Sequence, residues 1–338
     1  MLHSIIKQLA DFITLSAEAF SSSGFYNGKA GAALSLFEAS RLLCDEILEE
    51  EAAELLQEAL LTETTDIGFR NGLSGIGFVL VYLTKNGFVE AKTNELFDKQ
   101  NQQITNELKK QLDYETTWDF QMIEIGHYLN LLNSIAYQTD RKLLIDKLMK
   151  AADQRMEQLF EKHQRTLTIR SRSTLQAYFK VYLAVRCSIQ TNTLPEKIHT
   201  CYTNLYKQGL LKDDPVIGHY LEQTIKNAIS NGITTIINEN RKAATIKNLF
   251  QVEPLEEDVE MLNFLLSQNY EATAEWLENY FLMQPKEWIE KELTAHIPPH
   301  ALTAGYGQGI ARFLLTLCRY SLLKEGNDTQ RMNCLLIP

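Results

Sequence analysis

Apolar residues recur with a helical period along most of the chain. Ala32, Leu34, Leu36, Phe37, Leu42 and Leu43 fall near one face of a helix, and Leu143, Leu144, Leu148 and Met149 do the same with polar residues between them. Residues 1–15 interleave Lys7, Gln8 and Asp11 with apolar positions, which reads as an amphipathic helix and not as a signal peptide. Strand-like alternation between hairpin dipeptides is nearly absent; only 233–237 is β-branched enough to read either way. The pattern predicts an all-α protein.

Within that pattern one motif repeats. Gly24-Phe25-Tyr26-Asn27-Gly28-Lys29-Ala30-Gly31 opens an apolar run to Phe37, and Gly68-Phe69-Arg70-Asn71-Gly72-Leu73-Ser74-Gly75 opens another to Leu83. The two share G-F-x-N-G-x-x-G at an offset of 44 residues, the length of one helix pair with its connections. A degenerate third copy starts at Asp119-Phe120 and keeps Gly126 before a run to Leu132. A fourth is Gly305-Tyr306-Gly307-Gln308-Gly309 before 310–315. Glycine tolerates positive φ and lets backbones approach closely, so each copy reads as a loop that dives against a neighbour and then starts a helix. Repeats of this length stack as a solenoid or close into a ring with inner and outer helices. The same motif also serves as a packing device in any helical repeat, with no chemistry attached.

Composition narrows the function classes. Of 338 residues, 45% are hydrophobic and 22% charged, as in an ordinary globular chain, and no Pro/Gly/Ser-rich stretch divides it, so a single domain over 1–338 is expected. The longest apolar stretches, 76–83 and 313–318, fall far short of the ~20 residues of a membrane span. A net charge of -10 argues against nucleic acid as a partner. With the amphipathic N-terminus the short apolar stretches predict a cytoplasmic protein, and Cys44, Cys187, Cys201, Cys318 and Cys334, scattered and odd in number with no C-x-x-C pair, suggest neither a disulfide framework nor a zinc ribbon.

The four glycine segments resemble the repeats of the lanthionine synthetase C family of peptide cyclases. The likeness covers about residues 20 to 135 and 298 to 338. It implies an α/α toroid, a ring of helical hairpins whose glycine loops open the inner helices around a central cavity. It also implies a peptide or protein segment as partner, within a peptide-modification system. Asp119 stands at the family's acidic position, and Cys334-Leu335-Leu336-Ile337-Pro338 resembles its short apolar tail. A fourth repeat falls near 169–176, where Arg172 and Ser173 stand in place of a histidine and glycine.

Members of the family hold zinc through two cysteines and a histidine, one cysteine directly preceding that histidine, and use it to make a thiolate. Here no cysteine precedes a histidine, and Gly307 and Gln308 occupy those places if the last loop is aligned on the ligand-bearing repeat. His199 with Cys201, joined by Cys187 or His219, is the nearest substitute set. At i and i+2 on a helix, however, the first two diverge. His296 and His300 are separated by Pro298 and Pro299, which break any helix that would align them. No metal ligand is assigned.

The remaining candidates are a general acid or base at Asp119, with a helix-capping aspartate as the plain alternative, and a binding set. That set comprises Tyr26, Asn27, Arg70, Asn71, Glu124, Arg170, Arg172, Tyr306 and Gln308, placed around the cavity mouth and suited to hydrogen bonding a peptide. The expected function is a catalytically degenerate, zinc-free relative of the cyclases. The alternatives are an active cyclase or another α/α-toroid enzyme. A glycan hydrolase or lyase among these would need two carboxylates, for which Asp119 and Glu124 are the only candidates in these loops.

Overall fold

The computed structural model describes residues 2–17, 20, 22–113, 120–135, 138–165, 169–189, 194–225, 231–242, 255–268, 270–283 and 310–324. The chain is all-helical, with no strand among the described residues. The stretch 233–237 lies inside a helix, Asn231–Lys242, so its β-branched residues yield to tertiary packing. No helix is long and apolar enough to cross a membrane among the described residues. The chain divides into two compact units, one of 1–100 with 246–336 and one of 101–245 with 337–338.

In the first unit the helices are α1 (Leu2–Leu15), α2 (Lys29–Leu43), α3 (Glu46–Leu61), α4 (Leu73–Lys85) and the short α5 (Thr93–Leu96). The helix α6 (Asp98–Asp113) begins in this unit and runs into the second. Three C-terminal helices, called here α13 (Leu255–Gln268), α14 (Tyr270–Met283) and α15 (Ile310–Lys324), complete the first unit. Two kinds of helix alternate near its N-terminus. The outer kind buries a stripe: α1 buries Ile5, Ile6, Leu9, Ala10 and Ile13, and α3 buries Leu48, Ala52, Leu55, Leu56 and Ala59. On α3 the opposite face carries exposed Glu46, Glu49, Glu50 and Glu54, a solvated charge run.

The inner kind is buried on every side. Helix α2 is buried continuously from Ala30 to Ser40 and α4 from Leu73 to Leu83, and α15 is buried from 310 to 321. Such helices need apolar or small residues all round, which is why the run after each glycine loop shows little amphipathicity. The one-faced reading of α2 from its leucines is therefore incomplete, because Ser35, Glu38 and Ser40 on its other faces are buried too. The hydroxyls of Ser35 and Ser40 satisfy themselves by donating to Ala32 O and Phe37 O at 2.9 Å each. Helix α2 packs against α1, α3, α4 and α15, and is the hub of the unit.

In the second unit every described helix keeps exposed or half-buried positions along its length. A 3-10 turn (Phe120–Glu124) leads into α7 (Ile125–Ile135), followed by α8 (Thr139–Arg165), α9 (Ile169–Ser188), α10 (Glu196–Lys207), α11 (Pro215–Thr224) and α12 (Asn231–Lys242). On α8, Leu144, Leu148 and Met149 are buried as the periodicity predicts, whereas Leu143 is 56% exposed. A half-buried ion pair ties α8 to α9: Arg186 donates to both oxygens of Asp153 at 2.6 and 2.7 Å. The Tyr182 hydroxyl accepts from Arg186 Nε and donates to Asp153, both at 2.6 Å.

Helix starts are set by capping. Asp45 accepts from the N–H groups of Ile47 and Leu48 at 3.1 and 3.2 Å, and receives Lys7 Nζ at 2.9 Å. The Lys7 hydrogen bond, with help from the Leu48 N–H, holds its carboxyl below the usual carboxylate range. Asp214 caps α11 in the same way, with Pro215 at the first helical position. Replacing Asp45 with alanine is expected to cost about 1 kcal/mol. In urea unfolding the midpoint should fall without a change of slope; an unchanged midpoint would show that the cap does not hold α3.

Candidate functional site

The first two glycine copies form one structure, built twice. In copy one, Ser22 Oγ accepts from Gly24 N at 3.1 Å and Ser22 O accepts from Lys29 N at 3.1 Å. In copy two, Asp66 Oδ1 accepts from Gly68 N at 2.7 Å and Asp66 O accepts from Leu73 N at 2.9 Å. Each partner sits at the same 44-residue offset as the motif itself. Gly28 and Gly72 are the N-caps, in extended backbone with φ of -147° and -113°, and helices α2 and α4 start directly after them.

These glycines are required for space and not for handedness. A Cβ on Gly28 would come closer than 3.0 Å to Ser22 O and Gly24 N, and one on Gly72 equally close to Asp66 O and Gly68 N. One on Gly75 would strike Phe69 O and Phe25 Cβ. Positive φ occurs among the described glycines only at Gly87 and Gly209, outside both copies. Of the two reasons the sequence offered for glycine, close approach is the operative one.

The two loops also lie against each other. A Cβ on Gly24 would overlap the Asn71 backbone, and Tyr26 N–H donates to Arg70 O at 2.7 Å. Beneath them, Phe25 and Phe69 meet edge to face at 5.6 Å between ring centroids, and Phe78 packs on both at 5.7 and 5.3 Å. Above, the Arg70 guanidinium lies 4.8 Å from the Tyr26 ring centroid.

Four predicted site residues, Tyr26, Asn27, Arg70 and Asn71, are thus brought together. Only Asn27 and Asn71 are exposed; Arg70 is half-buried, and Tyr26, at 5% exposure, is a packing residue as much as a lining one. The loop is fixed to α3 through Lys29 Nζ on Glu58 at 2.5 Å and Ser23 Oγ on Thr62 Oγ1 at 2.6 Å.

The equivalence continues into the helices, where sequence reasoning did not follow it. Glu38 of α2 and Tyr82 of α4 are also 44 residues apart, and the buried Tyr82 hydroxyl donates to the buried Glu38 carboxylate. On α15, Cys318 is fully buried, and burial together with the Glu38 charge pushes its thiol well up. That is the opposite of what a thiolate ligand needs.

Elsewhere the expectations meet a different geometry. Asp119, Tyr306 and Gln308 lie outside the described residues. Arg170 and Arg172 belong to the first turn of α9; the side chain of Arg170 is outside the described residues, and Arg172 is half-buried. Glu124 closes the 3-10 turn at 1% exposure, so it is a buried carboxyl and not an open one, which counts against a glycan hydrolase built on it. Three residues on, His127 is buried in the first turn of α7, and desolvation pushes its pKa down to about 4. The sequence signal for it was a polar residue inside the run 125–132.

His199 and Cys201 both sit on α10, Cys201 buried and His199 half-buried. No three of His, Cys, Asp and Glu are gathered as a metal ion requires among the described residues, so the zinc implied by the resemblance finds no fitting set there. No protein-family model and no curated protein sequence matches the chain.

Gly24→Ala is expected to cost about 2 kcal/mol or more, because backbone cannot yield as a flexible side chain does. Gly87→Ala, with φ of +67° but open space around it, is expected to cost about 1 kcal/mol. Equal losses in urea unfolding would contradict the interlocked loops. For His127, the folded pKa lies below its ordinary 6.5, so stability is full above that value and is lost as pH falls towards about 4. The contribution is on the order of 3 kcal/mol across the window. Comparing wild type with His127→Leu by urea unfolding should show a shallower pH dependence in the variant; parallel profiles would rule out the titration.

Proposed function

We propose that the chain is a zinc-free relative of the lanthionine synthetase C family that holds a peptide segment on its glycine loops and does not cyclise it. The observation that carries this reading is the duplicated loop, with two hydrogen bonds repeated at the same offset and with Asn27 and Asn71 exposed, one on each of two adjoining loops. Asparagine amides offer both donors and an acceptor, which suits an extended peptide backbone whatever its side chains. Arg70 beside them adds a cation for carboxylate groups.

The ring of hairpins belongs to the same proposal. It is supported by the alternation of wholly buried helices, which follow the glycine motifs, with helices that bury a single stripe. A cytoplasmic setting is supported by the cysteine pattern. Thiol addition needs an activated thiolate, and two of the cysteines are set against it: Cys318 has its thiol pushed up and Cys201 is buried. Any residual acid–base role would fall to Asp119.

The test is a titration with a linear peptide carrying dehydroalanine and cysteine, followed by mass spectrometry and thiol counting. Binding without loss of the free thiol is expected, with affinity several-fold weaker in Asn27→Ala/Asn71→Ala. Consumption of the thiol by the purified protein would establish an active cyclase instead, and absence of binding would sink the peptide reading.

A further inference from the structure

Four Asn-Gly pairs occur in the chain, at Asn27-Gly28, Asn71-Gly72, Asn86-Gly87 and Asn231-Gly232. Asparagine before glycine is chemically labile, because no side chain on the following residue obstructs attack by its backbone nitrogen. We propose that Asn27 is a site of spontaneous deamidation in the folded protein, and that the fold itself selects it over Asn71 and Asn86. The proposal is independent of peptide binding.

In the reaction the Gly28 nitrogen attacks Asn27 Cγ. A nitrogen–carbon bond forms, the Cγ–Nδ2 bond breaks, and ammonia leaves carrying the proton from the Gly28 N–H. Water then opens the succinimide. Cleavage at Cγ gives aspartate, and cleavage at the backbone carbonyl gives isoaspartate, which carries the chain through the side chain and inserts one atom into it. Only water is consumed.

Three features of the structure rank the pairs. The Asn27 side chain is exposed, so the ring closes on the solvent side, and among the described residues no hydrogen bond holds the Gly28 N–H. At the equivalent Asn71, also exposed, the Gly72 N–H donates to Gly68 O at 3.1 Å and must break that bond to attack. At Asn86 both partners are tied: Nδ2 donates to Tyr82 O at 2.8 Å and the Gly87 N–H to Thr84 O at 3.2 Å, with the residue half-buried.

The two products differ in effect. Aspartate at 27 puts a carboxylate just before the N-cap of α2, where the helix dipole favours negative charge. Isoaspartate displaces Gly28 from its close approach to Ser22 O and Gly24, and so loosens the loop. Deamidation would thus convert a neutral amide beside Arg70 into either a charged, intact loop or a sprung one.

The test is to age the intact folded chain in mildly alkaline buffer and to quantify aspartate and isoaspartate by peptide mass spectrometry at Asn27, Asn71 and Asn86. A parallel sample is aged in denaturant. Conversion at Asn27 several-fold faster than at the other two is expected in the folded sample, and the ranking should collapse in denaturant. The inference is overturned if Asn71 or Asn86 keeps pace with Asn27 in the folded protein. It is equally overturned if Asn27 stays intact while the denatured chain converts, or if the same ranking persists in denaturant.

Discussion

The first unit depends on a contact that leaves no room for a single carbon atom. Gly24 lies on the Asn71 backbone, Gly75 lies on Phe69 O and Phe25, and Tyr26 N–H reaches Arg70 O. With the loops that close, Phe25, Phe69 and Phe78 fall into one aromatic cluster, and the helices that follow begin side by side. Burial on every side is then forced on α2, because it packs against α1, α3, α4 and α15. A buried helix must in turn settle its own polar groups, which Ser35 and Ser40 do locally and Glu38 does through Tyr82.

Much of this is legible in the sequence. The helical class followed from periodicity, and the starts of α2 and α4 followed from glycine motifs that turn out to be N-caps. The duplication was legible as an offset, and the hydrogen bonds of Ser22 and Asp66 repeat it although the two residues differ in type. Here the backbone geometry is better preserved than the sequence that encodes it. Glycine was read correctly as necessary but partly for the wrong reason, since φ is extended at Gly28 and Gly72 and only steric room requires them.

What escaped did so for identifiable reasons. Carrying the 44-residue offset past the loop would have aligned Glu38 with Tyr82, yet a lone glutamate in an apolar helix suggests a solvated edge. Arg170 and Arg172 were placed around the cavity mouth by extrapolating the repeat spacing, and they fall in the first turn of α9. Glu124 was taken as open because its repeat is a loop elsewhere; a 3-10 turn leading straight into α7 buries it instead.

The chemistry separates from the architecture in the same way. The residues that build the loops are present and geometrically consistent, while the thiol on α15 is buried against a carboxylate that disfavours its ionisation. The proposed function is that of a scaffold that holds a segment of chain without transforming it. Quantitative metal analysis of the purified protein, after dialysis against zinc and removal of the excess, tests that separation most directly. The account predicts zinc well below one equivalent per chain, and one tightly held equivalent that is lost on replacing Cys201 or His199 would contradict it.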